Sequence, residues 1–280
     1  MKYTINQKQT IKEFLVQTPL SQAMIKKIKR EGDFLVNGQH QTVRYLLQQN
    51  DVLEIILPQE KTAIKPQNIP LRIVYEDDYY MIIDKPAGIP CIPTKRYPDH
   101  TLANAIIYYY QLKHLDYTVH LVNRLDKETS GYMLVAKDSL SHALLSKDIK
   151  QVKRVYHCLV DGLIDGDGKI ELPILTKTDS MRRIIDAQGK PSLTYYRVLT
   201  QYSKQSLIEC VLATGRTHQI RVHMAAIGHP LSGDELYGSK TKQNIYLDSV
   251  EISFLHPYTF QVVTLKKGSN EPSLQHYDER

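Results

Sequence analysis

The segment Asn123-Arg124-Leu125-Asp126-Lys127-Glu128-Thr129-Ser130-Gly131 sets a lone aspartate just ahead of Met133-Leu134-Val135-Ala136, an apolar run that reads as a buried strand. Thr129, Ser130 and Gly131 are turn formers, so Asp126 is expected at the mouth of that strand. A carboxylate presented there is suited to attack on an electrophile or to proton abstraction. Most aspartates beside Thr and Ser merely cap helices or turns, so the rest of the chain must decide.

Three further segments bear on it. Arg154-Val155-Tyr156-His157-Cys158-Leu159-Val160-Asp161-Gly162 reads as a strand carrying Tyr156, which alone would be an ordinary strand tyrosine. Gly189-Lys190-Pro191-Ser192-Leu193-Thr194 is a turn feeding a strand. In Thr214-Gly215-Arg216-Thr217-His218-Gln219-Ile220-Arg221-Val222-His223, the spacing of Ile220, Met224 and Ile227 predicts a short helix. Thr217 is its expected N-cap, Gly228 its C-terminal stop, and Pro230 bars continuation. Arg216, His218 and Arg221 then crowd the first turns, where cations oppose the helix dipole unless anions share the place; a carboxylate such as Asp126 or a phosphate would serve. His218 and His223 are off one helical face, which argues against a metal pair.

Positioning these groups requires a sheet. Strands are expected at Tyr79–Ile83, ending in the Lys85-Pro86-Ala87-Gly88 turn, and over 155–160, 193–199 and 207–212. Leu102, Ala105, Ile106, Tyr109 and Tyr110 fall at helical spacing as a core-facing stripe. Pro58, Pro66 and Pro70 mark 58–70 as a linker. Ahead of it, residues 1–57 read as a small module. Its helix carries Met24, Ile25 and Ile28 on one side and Lys26, Lys27, Lys29 and Arg30 around the rest, Gly32 ends it, and an Asn37-Gly38 hairpin follows. Four cations in five residues repel one another, which suggests an anionic partner. The catalytic region is set at 71–267, followed by a polar, loose tail from Lys266, 268–280.

In a chain of 280 residues with 42% hydrophobic content, one large core and one small module are affordable. The net charge of +6 favours phosphate-rich partners without demanding them. Cys91, Cys158 and Cys210 lack paired spacing, so neither a disulfide framework nor a zinc site is indicated. No apolar run approaches the roughly 18 to 20 residues of a membrane span, and the N-terminus lacks a signal-peptide core. A cytoplasmic protein, monomeric by default, with no metal and no membrane partner, is the expectation.

The ordered segments together resemble the RluA/RluD-type family of RNA pseudouridine synthases. Arg124-Leu125-Asp126 and Thr129-Ser130-Gly131 match its catalytic motif, Tyr156 its second motif, and Thr214 to His223 its third; Gly228-His229-Pro230, Gly233-Asp234 and Tyr237-Gly238 extend the likeness. The order helix, basic turn, hairpin, then Asn50 to Ile55 resembles the S4 RNA-binding domain, without the arginine usual near Thr10 to Phe14. Asn123 and Asp248 stand where the family commonly has histidines.

The resemblance implies an α+β fold, a mixed, mainly antiparallel central sheet with flanking helices behind an S4-like module. It implies an isomerase acting on uridines of ribosomal or transfer RNA without a cofactor. Asp126, Tyr156 and Arg221 would be catalytic, Arg221 keeping the carboxylate charged through its planar fork. Tyr156 would support the flipped uracil. Arg124, Arg216 and His218 would contact RNA beside the site, and Lys26, Lys27, Lys29 and Arg30 would hold backbone phosphate elsewhere. A silent RNA binder on the same fold is the alternative, with Asn123 its main support. A glycosidic hydrolase is the other, which would need a second carboxylate; Glu128 is the acid nearest in sequence.

Overall fold

Local signals start and stop the elements of the N-terminal unit in the computed structural model, which describes residues 1–18, 20–58, 60–146, 149–177 and 180–268. Thr10 and Glu13 cap each other's backbone in a reciprocal capping box and open the helix Ile11–Gln17. Ser21 caps the helix Gln22–Glu31. Gly32 ends that helix because a Cβ there would lie 2.3 Å from the Ile56 carbonyl oxygen, so only glycine lets the helix end close against its neighbouring strand. Asn37 and Gly38, at φ 51° and 81°, make the two-residue turn joining Asp33–Val36 to Gln39–His40. The sheet order is Lys2–Thr4, Val52–Ile56, Asp33–Val36, Gln39–His40, all antiparallel. Ile11, Leu15, Ile25, Ile28, Phe34, Leu53 and Ile55 fill its core, while Lys26, Lys29 and Arg30 are exposed.

By compactness the chain divides into Met1–Ala63 with Tyr110–Thr118, and Ile64–Tyr109 with the chain from Val119 onward. The expected division at 58–70 did not foresee that a later stretch, Tyr110–Thr118, groups with the first unit.

The second unit is built on a ten-stranded sheet. Its main path runs Gly168–Glu171, Leu193–Gln201, Gln205–Leu212, Lys153–Asp161, Leu247–Leu255, Ser130–Ala136, Tyr80–Lys85, Ile73–Glu76; Val262–Lys266 and His120–Leu121 pair off it. Among the described residues every pairing in it is antiparallel except that of Ser130 and Gly131 with Asp248 and Ser249. The fold is thus α+β with a mixed, mainly antiparallel sheet. Met133, Leu134 and Val135 have no exposed surface and lie beside the equally buried Met81, Ile82 and Ile83, each such side chain contributing about 1.5–3 kcal/mol. The helix Leu102–Leu112 is more enveloped than a one-sided stripe, since Ala103, Asn104 and Ile107 are buried as well.

The C-terminal expectation needs correction. Lys266 closes the strand Val262–Lys266, and Lys267 pairs with Asp84 and Asp248, because two buried-side carboxylates reward ordering that lysine. Of the expected tail 268–280, residues 269–280 lie outside the described residues. Among the described residues no helix is long and apolar enough to cross a membrane.

Candidate active site

The site lies where the sheet switches to parallel pairing. Gly131 has φ 103°, and a Cβ there would meet the Ser249 backbone oxygen at 2.3 Å, so glycine alone admits this close approach. Ser130 Oγ donates to Asp248 Oδ1 at 2.7 Å, and Lys267 Nζ donates to both Asp248 oxygens at 2.7 and 2.9 Å. Asp248 therefore braces the strand mouth through an ammonium. Asn123, the other departure, is buried; its Oδ1 accepts from the Leu134 backbone at 2.8 Å, a structural task at the edge of the strand.

Between them the Asp126 loop is pinned from beneath. Lys85 is wholly buried, and its Nζ donates to the carbonyls of Pro86, Ile89 and Lys127 at 2.8, 2.9 and 3.2 Å. Burial pushes its pKa down, against the attraction of Cys91, Glu128 and Asp126. Thr129 N–H donates to the Asp126 carbonyl, closing the turn, and Gly88 N–H to that of Lys127. Leu125 faces inward, and the Asp126 side chain keeps 25% exposure, turned to where a substrate can reach it.

The second half of the site is the helix Gln219–Ala226. Its N-cap is His218, in the left-handed region at φ 58°, rather than Thr217. His218 makes no side-chain capping hydrogen bond; the buried Gln219 side chain instead ties the preceding turn to the sheet: Oε1 accepts from Arg216 N at 2.9 Å and Thr214 Oγ1 at 2.8 Å, while Nε2 donates to Leu193 O and Thr194 Oγ1, both at 3.0 Å. Ile220 and Met224 face the core, but Ile227 is 37% exposed because it is already the C-cap. His223 is fully buried between Thr194 and the Leu172 carbonyl.

Arg221 is committed chiefly to Asp234, not to Asp126. Its Nε and Nη2 donate to Asp234 Oδ2 and Oδ1 at 2.6 and 2.8 Å, and Asp234 has 1% exposure. Nη1 is left over and lies 3.9 Å from Asp126 Oδ2. Burial penalises the guanidinium, but the hydrogen bonds and charge of Asp234, with the charge of Asp126, outweigh it and hold the pKa above the ordinary value. His218 Nε2 stands 3.9 Å from the same Asp126 oxygen, and its Nδ1 is 2.9 Å from the Tyr237 hydroxyl. Two nitrogens thus converge on Oδ2.

Tyr156 sits opposite a β-bulge. The strand Lys153–Asp161 sets Val155 opposite Glu251 but Tyr156 opposite Ser249, so Val250 is the extra residue and Leu247–Leu255 is the strand that bulges, while Lys153–Asp161 keeps regular register on its other side. Burial raises the phenol's pKa, Arg154 lowers it and the charge of Asp126 raises it further, which puts all three groups within one electrostatic neighbourhood. Arg154 shares Tyr156's face of the strand, is buried, and donates to the carbonyls of Val152 and Leu212.

Of the remaining expected residues, Arg124 is exposed beside the buried Leu125, and Arg216 donates to the Pro191 carbonyl at 3.2 Å. Lys26, Lys27, Lys29 and Arg30 belong to the N-terminal unit. Glu128 is exposed and paired with Lys127, so the acid a hydrolase would require is drawn to a neighbouring lysine. The sequence did not single out Asp234, Lys85 and Arg154 as site members, nor Tyr237, whose ring Arg182 and the expected Arg221 face at 5.6 and 5.1 Å. Asp234 had a signal, its place in Gly233-Asp234; Lys85 had only its position before a proline. Among the described residues no group of three His, Cys, Asp or Glu is arranged to hold a metal.

Residues 79–226, more than half of the chain and spanning Asp126, Tyr156 and Arg221, match the model of the RNA pseudouridylate synthase family. The chain belongs to that family. It is 39% identical over 260 residues to an uncharacterized RNA pseudouridine synthase, YjbO, of Bacillus subtilis, with 89% of this chain and 92% of that one covered. It is 34% identical over 264 residues to the ribosomal large subunit pseudouridine synthase D of Zymomonas mobilis, covering 86% and 83%. The solved human RNA pseudouridylate synthase domain containing 1 superposes with a TM-score of 0.58 at 24% identity, over 74% of this chain and 85% of that one, a likeness of fold. This is an RNA pseudouridine synthase of the RluA/RluD type, an isomerase whose substrate is RNA.

Proposed function

We propose that this pseudouridine synthase modifies ribosomal RNA and that Asp126 is the group that acts on the target uridine. The observation that carries the reading is the convergence of His218 Nε2 and Arg221 Nη1 on Asp126 Oδ2, each at 3.9 Å, on a carboxylate that stays partly exposed. The choice of ribosomal RNA is supported by relatives named for the large ribosomal subunit.

In the reaction the C1′–N1 bond breaks, a C1′–C5 bond forms, and the hydrogen at C5 is replaced by one at N1. Nothing is oxidised or added, so no cofactor is required in principle. Asp126 cannot reach C1′ of a stacked nucleotide, so the uridine must leave its stem. Tyr156 lies in the same electrostatic neighbourhood as Asp126 and would support the uracil, a contact worth about 1–3 kcal/mol by analogy with base–aromatic stacking. Arg124 is exposed immediately before the Leu125-Asp126 pair and would fill the vacated space or hold phosphate. Arg216 would contact RNA beside the helix start. The S4-like N-terminal unit, through Lys26, Lys27, Lys29 and Arg30, would add affinity for the backbone with little sequence choice. The protein would act as a monomer in the cytoplasm, without a metal.

The test is pseudouridine mapping across the RNA of cells lacking the gene, rescued with wild-type or Asp126→Asn protein. Ribosomal sites that vanish and return only with the wild type support the reading. Sites restored equally by both proteins contradict the role of Asp126, and sites confined to transfer RNA contradict the address.

A further inference from the structure

We propose that Tyr237 holds His218 as the tautomer protonated on Nε2, and that this neutral N–H donates to an uncharged acceptor oxygen, a uracil carbonyl or a ribose hydroxyl, of the nucleotide placed at Asp126. This rests on Asp126 being the reacting group.

The tautomer follows from donor and acceptor accounting. The backbone N–H of Arg183 donates to the Tyr237 hydroxyl at 2.9 Å, so that oxygen already accepts one hydrogen bond and must place its own proton elsewhere. Tyr237 is 5% exposed, which makes an unplaced hydroxyl proton costly. The guanidiniums of Arg182 and Arg221, which flank its ring, are donors only. His218 Nδ1, at 2.9 Å, is the acceptor at hand. An Nδ1 that accepts carries no proton, so the neutral ring is protonated on Nε2, the nitrogen directed at Asp126.

The surroundings also favour the neutral ring. Burial lowers its pKa, Asp126 and Asp234 pull the other way, and Arg221 and Arg183 lower it again, the balance falling below the ordinary histidine value. The charged and titratable groups facing it from the Asp126 loop, the hairpin strand Arg183–Ile185, the 234–237 segment and its own helix are Asp126, Arg183, Asp234, Tyr237 and Arg221. An uncharged imidazole is a poor counter-ion for phosphate. At 3.9 Å the Nε2–H is too far from Oδ2 for a hydrogen bond, so its donor capacity is not spent on the carboxylate.

Three measurements on the full-length enzyme test this. Nitrogen-15 NMR of the histidine rings should show His218 protonated on Nε2 at neutral pH, with the preference lost in Tyr237→Phe. Under single-turnover, saturating conditions His218→Ala should slow conversion about three- to ten-fold, as loss of one neutral hydrogen bond would. His218→Gln, which retains an amide donor, should recover part of that rate. The dependence of log Kd for RNA on log salt should keep its slope in His218→Ala. A proton on Nδ1, an imidazolium at neutral pH, or a salt slope shallower by about 0.7–0.9, the mark of a lost phosphate contact, would each overturn the proposal. Asp126→Asn is run alongside: activity surviving there defeats the underlying assignment, whereas the NMR result reports on the tautomer whichever way that falls.

Discussion

Two helices of this chain gather cations, and they handle the charge in opposite ways. In Gln22–Glu31 the exposed Lys29 and Arg30 occupy the last turn, where the dipole favours positive charge, and Arg30 pairs with the neighbouring Glu31. That helix needs no external anion to be stable, so crowding of lysines was a weaker sign of a partner than the sequence argument supposed. In Gln219–Ala226 Arg221 is buried in the first turns, against the dipole, and Asp234 is built in to hold it. Exposed charge can be exchanged; buried charge is bound to a particular partner.

The sharpest way to break the contrast is to remove Asp234. Asp234→Ala leaves a buried guanidinium uncompensated and should cost about 3–5 kcal/mol in denaturant unfolding, with activity falling in parallel. Arg221→Lys keeps the charge but loses the planar fork, so Asp126 loses its fixed neighbour; kcat should fall on the order of a hundred-fold while RNA affinity changes little, as measured by single-turnover kinetics and binding.

Acidification should expose the buried histidines next. His157, His218 and His223 all have pKa values pushed below 6.5 chiefly by burial, so in the native state they resist protons that the unfolded chain accepts. Their contribution is fully present above pH 6.5 and is lost as pH falls from there through the native values. Melting temperature should therefore decline below that pH, and less steeply in His223→Gln, measured relative to its own neutral-pH value. At the small end, alanine at Lys26, Lys27, Lys29 or Arg30 should change stability by no more than about 0.5 kcal/mol each, while their joint replacement flattens the salt dependence of RNA binding.

The same contrast explains what the sequence disclosed. The strand Ser130–Ala136, the Asn37-Gly38 turn and the Gln22–Glu31 helix rest on local patterns of hydrophobicity, turn chemistry and capping, and were readable. The segments that hold Asp126 and Arg221 were legible as ordered motifs within the stretch that matches the family, but the contacts those side chains make were not. Asp234 reaches Arg221 from a loop that Asp161 anchors through the hydroxyls of Ser232, Ser239 and Thr241, contacts between residues 71 to 80 apart in the chain. Lys85, gathering three carbonyls under the Asp126 loop, resembles any lysine ending a strand until the chain is folded. Thr217 fits the local preference of Ser and Thr for caps, but the folded helix starts one residue later, at a left-handed His218 that makes no side-chain capping hydrogen bond.

The most direct test of the central claim is tritium release from ribosomal RNA labelled at uridine C5, since forming the C1′–C5 bond expels that hydrogen. Wild-type protein should release tritium without freeing uracil, and Asp126→Asn should bind the same RNA with nearly unchanged affinity yet release none. Tritium release by the Asp126→Asn protein at a comparable rate would contradict the account.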